Sequence, residues 1–319
     1  MAIYYLATNG NNTNDGSIDA PFETLQYSLS QLVAGDTLYI RGGTYTSGTT
    51  TSGGVVKNGA EGNLITISRY QDEEVIFDNC GLSFQESSYL DFFGIIVQNH
   101  LDTEINDTRQ GFNFYHVRHL TIKRCVVRNI GGSGFRFAIC DNVYIEDCDA
   151  HDCVTIYGTT TKPGPQVGTG FTMGSDNTEE WRNGLYTLEG CRAWNCGRDG
   201  ISHGGPCVVR CNNVWVYDVN FRAYAGGFTD HQTAPDGVLV TNSILLYPGT
   251  KGFNENSFGK PYFLSGVSCI KTYSRWSESI VMQFCSKQLF DPYILKEPIN
   301  ECWPPNPRSK RLIHLLSMT

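Results

Sequence analysis

Four residues in the second half of the chain occupy positions from which acid–base chemistry could be assembled: Asp199, His203, Asp230 and Glu255. All lie close to a Gly followed by a large apolar residue, in Gly200-Ile201, Gly227-Phe228 and Gly252-Phe253. The same pair occurs earlier as Gly111-Phe112, Gly134-Phe135 and Gly170-Phe171. Three residues after the Gly, the earlier copies carry Phe114, Phe137 and Met173, and the later ones His203, Asp230 and Glu255. Polar groups at an otherwise apolar position are costly when buried without partners. Either they serve a site, or the strand ends sooner in those copies and the groups are solvated. If the copies stack as strands, adjacent or next-but-one copies bring residues to about 5 or 10 Å. Two carboxylates roughly 5–9 Å apart are what glycosidic hydrolysis requires, one as acid and one as base or nucleophile. Asp199 with Asp230 or Glu255 is the hydrolytic set that follows, with His203 beside it.

Two further columns surround each Gly. The residue two after it is Asn113, Arg136, Thr172, Ser202, Thr229 or Asn254. The residue before it is Gln110, Ser133, Thr169, Asp199, Gly226 or Lys251. Both columns are expected to face outward and line a groove suited to an extended polymer, because successive copies offer successive subsites. Arg136, Arg198 and Thr229 are substrate-binding candidates on that groove. Asp149, with His151 and Asp152, forms a second polar group on a neighbouring turn, where Asp also stabilises turns by bonding nearby backbone. Trp181 lies in a long loop and either stacks on a sugar ring or packs into the protein.

What positions these residues is a repeat. Short strands end in Cys or a small or apolar residue: Leu120 to Cys125, Val143 to Cys148, Tyr186 to Cys191, Val214 to Val219, Val238 to Ser243 and Tyr262 to Val267. Cys125 to Cys148 and Gly111 to Gly134 both span 23 residues, and Val219 to Ser243 spans 24. Cys148 to Cys191 spans 43, so that copy carries an insertion, including the stretch Val154 to Val167. A period near 23 residues with two or three short strands matches one coil of a parallel β-helix. Alternation turns Val143, Ile145 and Cys148 inward. Cys125, Cys148 and Cys191 then stack, as do Cys153 and Cys196. A ladder of buried thiols is the plain reading, with disulfides as the alternative; two paired Cys-x-x-Cys knuckles for zinc are absent.

The chain is thus read as all-β, one domain over 1–319: an N-terminal strand and capping helix over 1–45, coils over 46–272, and a C-terminal cap and tail over 273–319. The segment from Pro21 reads as an amphipathic helix with Leu25, Leu29 and Leu32 on one face and Pro21 in its first turn. The formal charge of −8, from 24 basic and 32 acidic residues, argues against nucleic acid as a partner. No apolar run is long enough to span a membrane.

The segments Tyr4-Tyr-Leu-Ala-Thr-Asn-Gly10, Ala20-Pro-Phe-Glu-Thr-Leu25 and Ala34-Gly-Asp-Thr-Leu-Tyr-Ile-Arg-Gly-Gly-Thr-Tyr45 resemble the opening of pectate-lyase-like right-handed β-helix proteins. Cys148-Asp-Ala-His-Asp-Cys153 and Gly190-Cys-Arg-Ala-Trp-Asn-Cys-Gly-Arg-Asp-Gly200 resemble polysaccharide lyase family 9 in particular. The resemblance covers about residues 3 to 270. It implies a calcium site of several aspartates and a lysine base. The matching positions here are Thr169, Arg198, Asp199 and Ser202, with Thr229 at the lysine position. One carboxylate is a poor calcium site, so no cofactor is expected, calcium remaining the alternative. The reading that follows is a polysaccharide-cleaving enzyme, first a hydrolase and second a lyase with Arg136 or Arg198 near the uronate. A non-catalytic carbohydrate-binding β-helix is the third. A monomer acting outside the cell is expected, its leader absent from this chain.

Overall fold

The computed structural model describes residues 1–49, 54–101, 103, 109–155, 158–159, 162–163, 166–174, 184–204, 207–217, 219, 226–230, 238–247, 251–255, 262–265, 267–272, 280–285 and 288–290. Three strand positions per coil build a parallel β-helix. The first holds the Gly-Phe copies: Phe135–Ala138 pairs with Phe112–Lys123 on one side and Phe171–Gly174 on the other, followed by Ile201–Gly204, Gly226–Asp230 and Lys251–Glu255. The second runs through Asp141–Glu146, Leu185–Glu189, Val208–Asn212, Val238–Thr241 and Tyr262–Ser265. The third forms a separate sheet through Val126–Ile130, Asp149–Thr155, Arg192–Trp194, Trp215–Tyr217 and Ile244–Tyr247. In the earlier coils, Leu82–Phe93 and Phe112–Lys123 run through both of the first two positions.

The corners explain the sequence's wealth of Gly and Asn. Between the second and third strand positions, one residue per coil takes a left-handed conformation: Arg124, Asp147, Gly190, Asn213 and Asn242, with φ between 48° and 65°. Gly, Asn and Asp tolerate that region best. A second left-handed column, Asn99, Asn129, Asp152 and Asn195, ends the third strand. Its side chains bond up the helix, Asn129 Nδ2 donating to Asn99 Oδ1 at 2.7 Å and Asn195 Nδ2 to Asp152 Oδ1.

The interior is a set of ladders. Phe112, Phe135 and Phe171 stack with centroids 5.3 and 4.9 Å apart and planes within 4°. Phe84, Phe114 and Phe137 form a second stack at 5.8 and 5.5 Å. Val143, Ile145 and Cys148 face inward as alternation requires. The Gly before each Phe is dictated by closeness of the coils. A Cβ on Gly111 would stand 2.7 Å from the carbonyl oxygen of Gly134, and one on Gly134 2.8 Å from that of Gly170. Nine cysteines have described side chains; all are free thiols and eight of them are buried. Cys125 N–H donates to Cys148 Sγ at 3.4 Å, and further along the same column Val214 N–H donates to Ser243 Oγ at 3.0 Å, so each thiol or hydroxyl closes the turn of its neighbour.

The N-terminal helix is shorter than its periodicity predicts. It spans Leu25–Gln31, capped by Thr24, whose hydroxyl accepts from Tyr27 N–H. Pro21 is not in its first turn. Phe22 instead joins the sheet beside strand Ile3–Leu6, donating to Tyr5 O at 2.8 Å and accepting from Ala7 N–H at 3.0 Å. Leu25, Leu29 and Leu32 are buried with Leu6 and Leu38 at the end of the core. At the other end, Ile280–Cys285 and Gln288–Phe290 pair antiparallel with Val267–Thr272 and Tyr262–Ser265. Within the insertion, Val154 and Thr155 pair antiparallel with Gln166–Val167.

Candidate functional site

The outward column expected two residues after each Gly exists in continuous register. Ser83, Asn113, Arg136, Thr172 and Ser202 are successive partners on the first strand position, continued in backbone register by Thr229 and Asn254, although Ser202, expected to face outward, is covered and 5 % exposed. The column's early rungs are tied together. Arg136 Nη1 donates to Asn113 Oδ1 at 2.8 Å, and Asn113 Nδ2 donates to Ser83 Oγ at 3.0 Å. Thr172 Oγ1 and Ser133 Oγ lie 3.1 Å apart. Arg136 therefore sits half-buried on a rigid strand with one edge of its guanidinium fixed. Ser83 was not among the expected rungs because its coil carries Gly81-Leu82 rather than Gly-Phe; the spacing Gly81-Leu-Ser-Phe84 is nevertheless that of Gly111-Phe-Asn-Phe114.

The column preceding each Gly departs from expectation. Gln110 and Ser133 are half-buried, but Thr169 is 4 % exposed and Asp199 0 %. Alternation holds only inside a strand, and these residues lie in the turn before one. There, the carbonyls of Thr169 and Asp199 accept from Gly134 and Gly170 of the preceding coil, at 2.9 and 3.0 Å. Asp199 thus does not present its carboxylate to the groove. Its Oδ2 is 3.0 Å from Arg198 Nε, the arginine reaching outward with 41 % of its side chain exposed.

His203 is placed inside as well. The strand does not end early; it continues to Gly204, and His203 pairs with Met173 in register. Its side chain is 1 % exposed, with Nδ1 3.6 Å from Cys207 Sγ. Burial lowers the imidazole pKa to about 4, so the ring is neutral at pH 7. Asp230 and Glu255 follow His203 at the same register position; for these two and Thr229 the description extends to the backbone alone. Trp181 lies outside the described residues.

Asp149 is not on the groove. It occupies the third strand position, on a different sheet, bonded to Arg192 through both oxygens at 2.7 and 2.5 Å. Beside it, His151 Nδ1 lies 2.6 Å from Asp152 Oδ2, and its ring stacks on Trp194 with centroids 4.2 Å apart. Trp194 stacks on Tyr217 in turn, at 5.4 Å. The faces of these rings are turned to one another, leaving them a structural ladder.

Calcium does not fit the residues at the positions the resemblance assigns to it. Thr169 and Ser202 offer buried hydroxyls, and the carboxylate of Asp199 is already answered by the Arg198 guanidinium. Calcium takes six to eight oxygens and is favoured by several carboxylates, and the Arg198 guanidinium, 3.0 Å from the one carboxylate present, opposes a dication. Among the described residues no cluster of three His, Cys, Asp or Glu side chains is grouped to hold a metal. No helix among them is long and apolar enough to cross a membrane.

Known proteins share this architecture. The chain is 36 % identical over 77 residues to pectate lyase PEL9 of Emericella nidulans, a match covering 24 % of this chain and 18 % of that protein. It is 24 % identical over 275 residues to pectate lyase L of Dickeya chrysanthemi, covering 80 % of this chain and 62 % of the other. The chain therefore spans less than two thirds of either relative. A solved rhamnogalacturonan lyase superposes with a TM-score of 0.63 at 23 % identity, over 77 % of this chain and 69 % of that one; at that identity the likeness is one of fold. The family model described as Pel9A-like, right-handed beta helix region matches residues 4–271, and this chain belongs to that family.

Proposed function

We propose that the protein cleaves an acidic polysaccharide by β-elimination, in the groove along the outward column, with Arg136 facing the uronate carboxylate. The observation that carries this reading is the placement of Arg136, a half-buried guanidinium held by Asn113 at 2.8 Å on a column otherwise made of Ser, Asn and Thr. Removing the proton from the ring carbon that bears the carboxylate builds negative charge on that group. A guanidinium already in position stabilises the charge as it develops. Water takes the proton from carbon, the electrons of the broken C–H bond form a C=C bond, the bond to the neighbouring sugar's oxygen breaks, and that oxygen leaves with a proton returned from water. Arg198, two coils along and roughly 10 Å up the axis, is 41 % exposed, but its charge is balanced by Asp199.

Hydrolysis needs two carboxylates facing the substrate. The carboxylate of Asp199 is turned inside against Arg198, which weighs against the hydrolytic set, and the relatives named above carry lyase names. Action outside the cell and as a monomer belong to the same reading.

The test is a depolymerisation screen over polygalacturonate, rhamnogalacturonan, alginate and a neutral xylan, with calcium or with chelator. Unsaturated products absorbing in the ultraviolet on an acidic polymer, lost in Arg136→Ala, are expected, and chelator should not remove them. New reducing ends without that absorbance would overturn elimination in favour of hydrolysis.

A further inference from the structure

The walls of an open cleft of about 530 Å³ come from the early coils, through the segments 46–49, 79–83, 100 and 109–113. Its volume falls within the range of small-molecule sites, roughly 300–1,000 Å³. Two features set it apart. The first is charge: among the described residues, Arg109 and His100 line this cleft and neither Asp nor Glu does. The second is continuity, because Ser83 and Asn113 line it and are also the first rungs of the outward column that leads to Arg136.

The walls are fixed in advance. Thr49 Oγ1 accepts from Ser83 N–H at 2.5 Å, pinning the 46–49 segment to the strand beside it. The Asn113 amide is oriented by its two bonds, to Ser83 and from Arg136. His100 Nδ1 lies 2.8 Å from Gln110 O, tying the third wall to the residue next to Arg109. Polar groups held this way bind without first being ordered, which favours affinity.

We propose that this cleft is a binding subsite for an acidic sugar residue, with Arg109 meeting the carboxylate and Ser83 and Asn113 the hydroxyls. A polymer bound there continues along the outward column, past Arg136, toward the later coils. The proposal rests on the reading that the substrate is an acidic polysaccharide, and it adds where on the molecule the chain end away from Arg198 is held. A guanidinium–carboxylate contact is among the stronger charge-assisted hydrogen bonds, so its loss is expected to be visible in affinity.

The experiment is titration calorimetry of the full chain with a hexameric oligogalacturonate and a neutral xylohexaose, on wild type, Arg109→Ala and Ser47→Trp. Ser47 is exposed at the mouth, and a Trp there narrows it. Wild type is expected to bind the acidic oligomer and not the neutral one. Each variant is expected to lose about tenfold in affinity with a thermal midpoint matching wild type. Equal binding of acidic and neutral oligomers, no binding of either, or undiminished affinity in both folded variants would overturn the subsite. A protein that binds the acidic oligomer through Arg109 but releases no unsaturated product would sink the elimination reading alone. Product formation with Arg109→Ala binding as tightly as wild type would sink the subsite alone.

Discussion

In the coils that carry Phe112 and Phe135 the interior is aromatic and the polar groups stand outside: Phe112 stacks on Phe135 within the core, while Asn113 and Arg136 bond to each other on the surface. Two coils beyond Arg136 the same register is kept but the polarity is rearranged. His203 takes the inner place of Phe137 and Met173, and Asp199 is buried in the turn before it. Coil stacking places side chains by position and not by polarity. A neutral, desolvated imidazole and a carboxylate held by Arg198 are what the later coils hold where the early coils hold rings.

Replacing Phe135 by Ala should have the largest effect. It leaves a gap between Phe112 and Phe171, and a loss of about 3–5 kcal/mol is expected, read by chemical denaturation. The same truncation at Met173, beside the polar coils, should cost less; an equal or greater loss there would mean that the early ladders are not the stronger part of the core.

The buried imidazole should give the later coils a pH dependence that the early ones lack. With its pKa lowered from 6.5 to about 4 in the folded chain, His203 takes up its proton more readily when unfolded. Its contribution to stability is therefore complete above about pH 6.5 and is lost progressively as pH falls toward 4, by on the order of 3 kcal/mol. His203→Met, matching Met173, should flatten denaturation midpoints across that window relative to wild type. An unchanged pH profile would show the ring to be solvated.

On the outer face, Arg136→Ala should lower kcat/KM by about a hundredfold if its charge serves the transition state, and Arg136→Lys should recover only part of it, since an ammonium that bonds Asn113 as Nη1 does lacks the planar guanidinium's further donors for the carboxylate. The smallest effect is expected on the other sheet. Arg192→Ala removes an exposed ion pair with Asp149 worth about 0–1 kcal/mol, and should leave turnover as in wild type; a loss of turnover would return Asp149 to the groove.

Legible in the sequence were the repeat, the inward Phe after each Gly, the outward column through Asn113, Arg136 and Thr172, and the stacked thiols; the copy Val214 to Val219 was out of register, since Val208–Asn212 is the strand that pairs with Leu185–Glu189 and Val214 is the residue in the column of Cys191 and Ser243. The legible features follow from two periodicities, alternation along a strand and recurrence between coils, and both are properties of residue spacing alone. The facing of Asp199, the depth of His203, the start of the helix at Leu25 rather than Pro21 and the cleft beside Arg109 were not legible there. Each depends on where a strand stops and a turn begins, and on which segment from another coil closes over it. Asp199 lies two residues before the strand that begins at Ile201, Phe22 is drawn into the sheet by Tyr5 and Ala7, and the cleft joins residues from 46 to 113. Spacing sets register, but burial outside the strands is set by packing between segments distant in the chain.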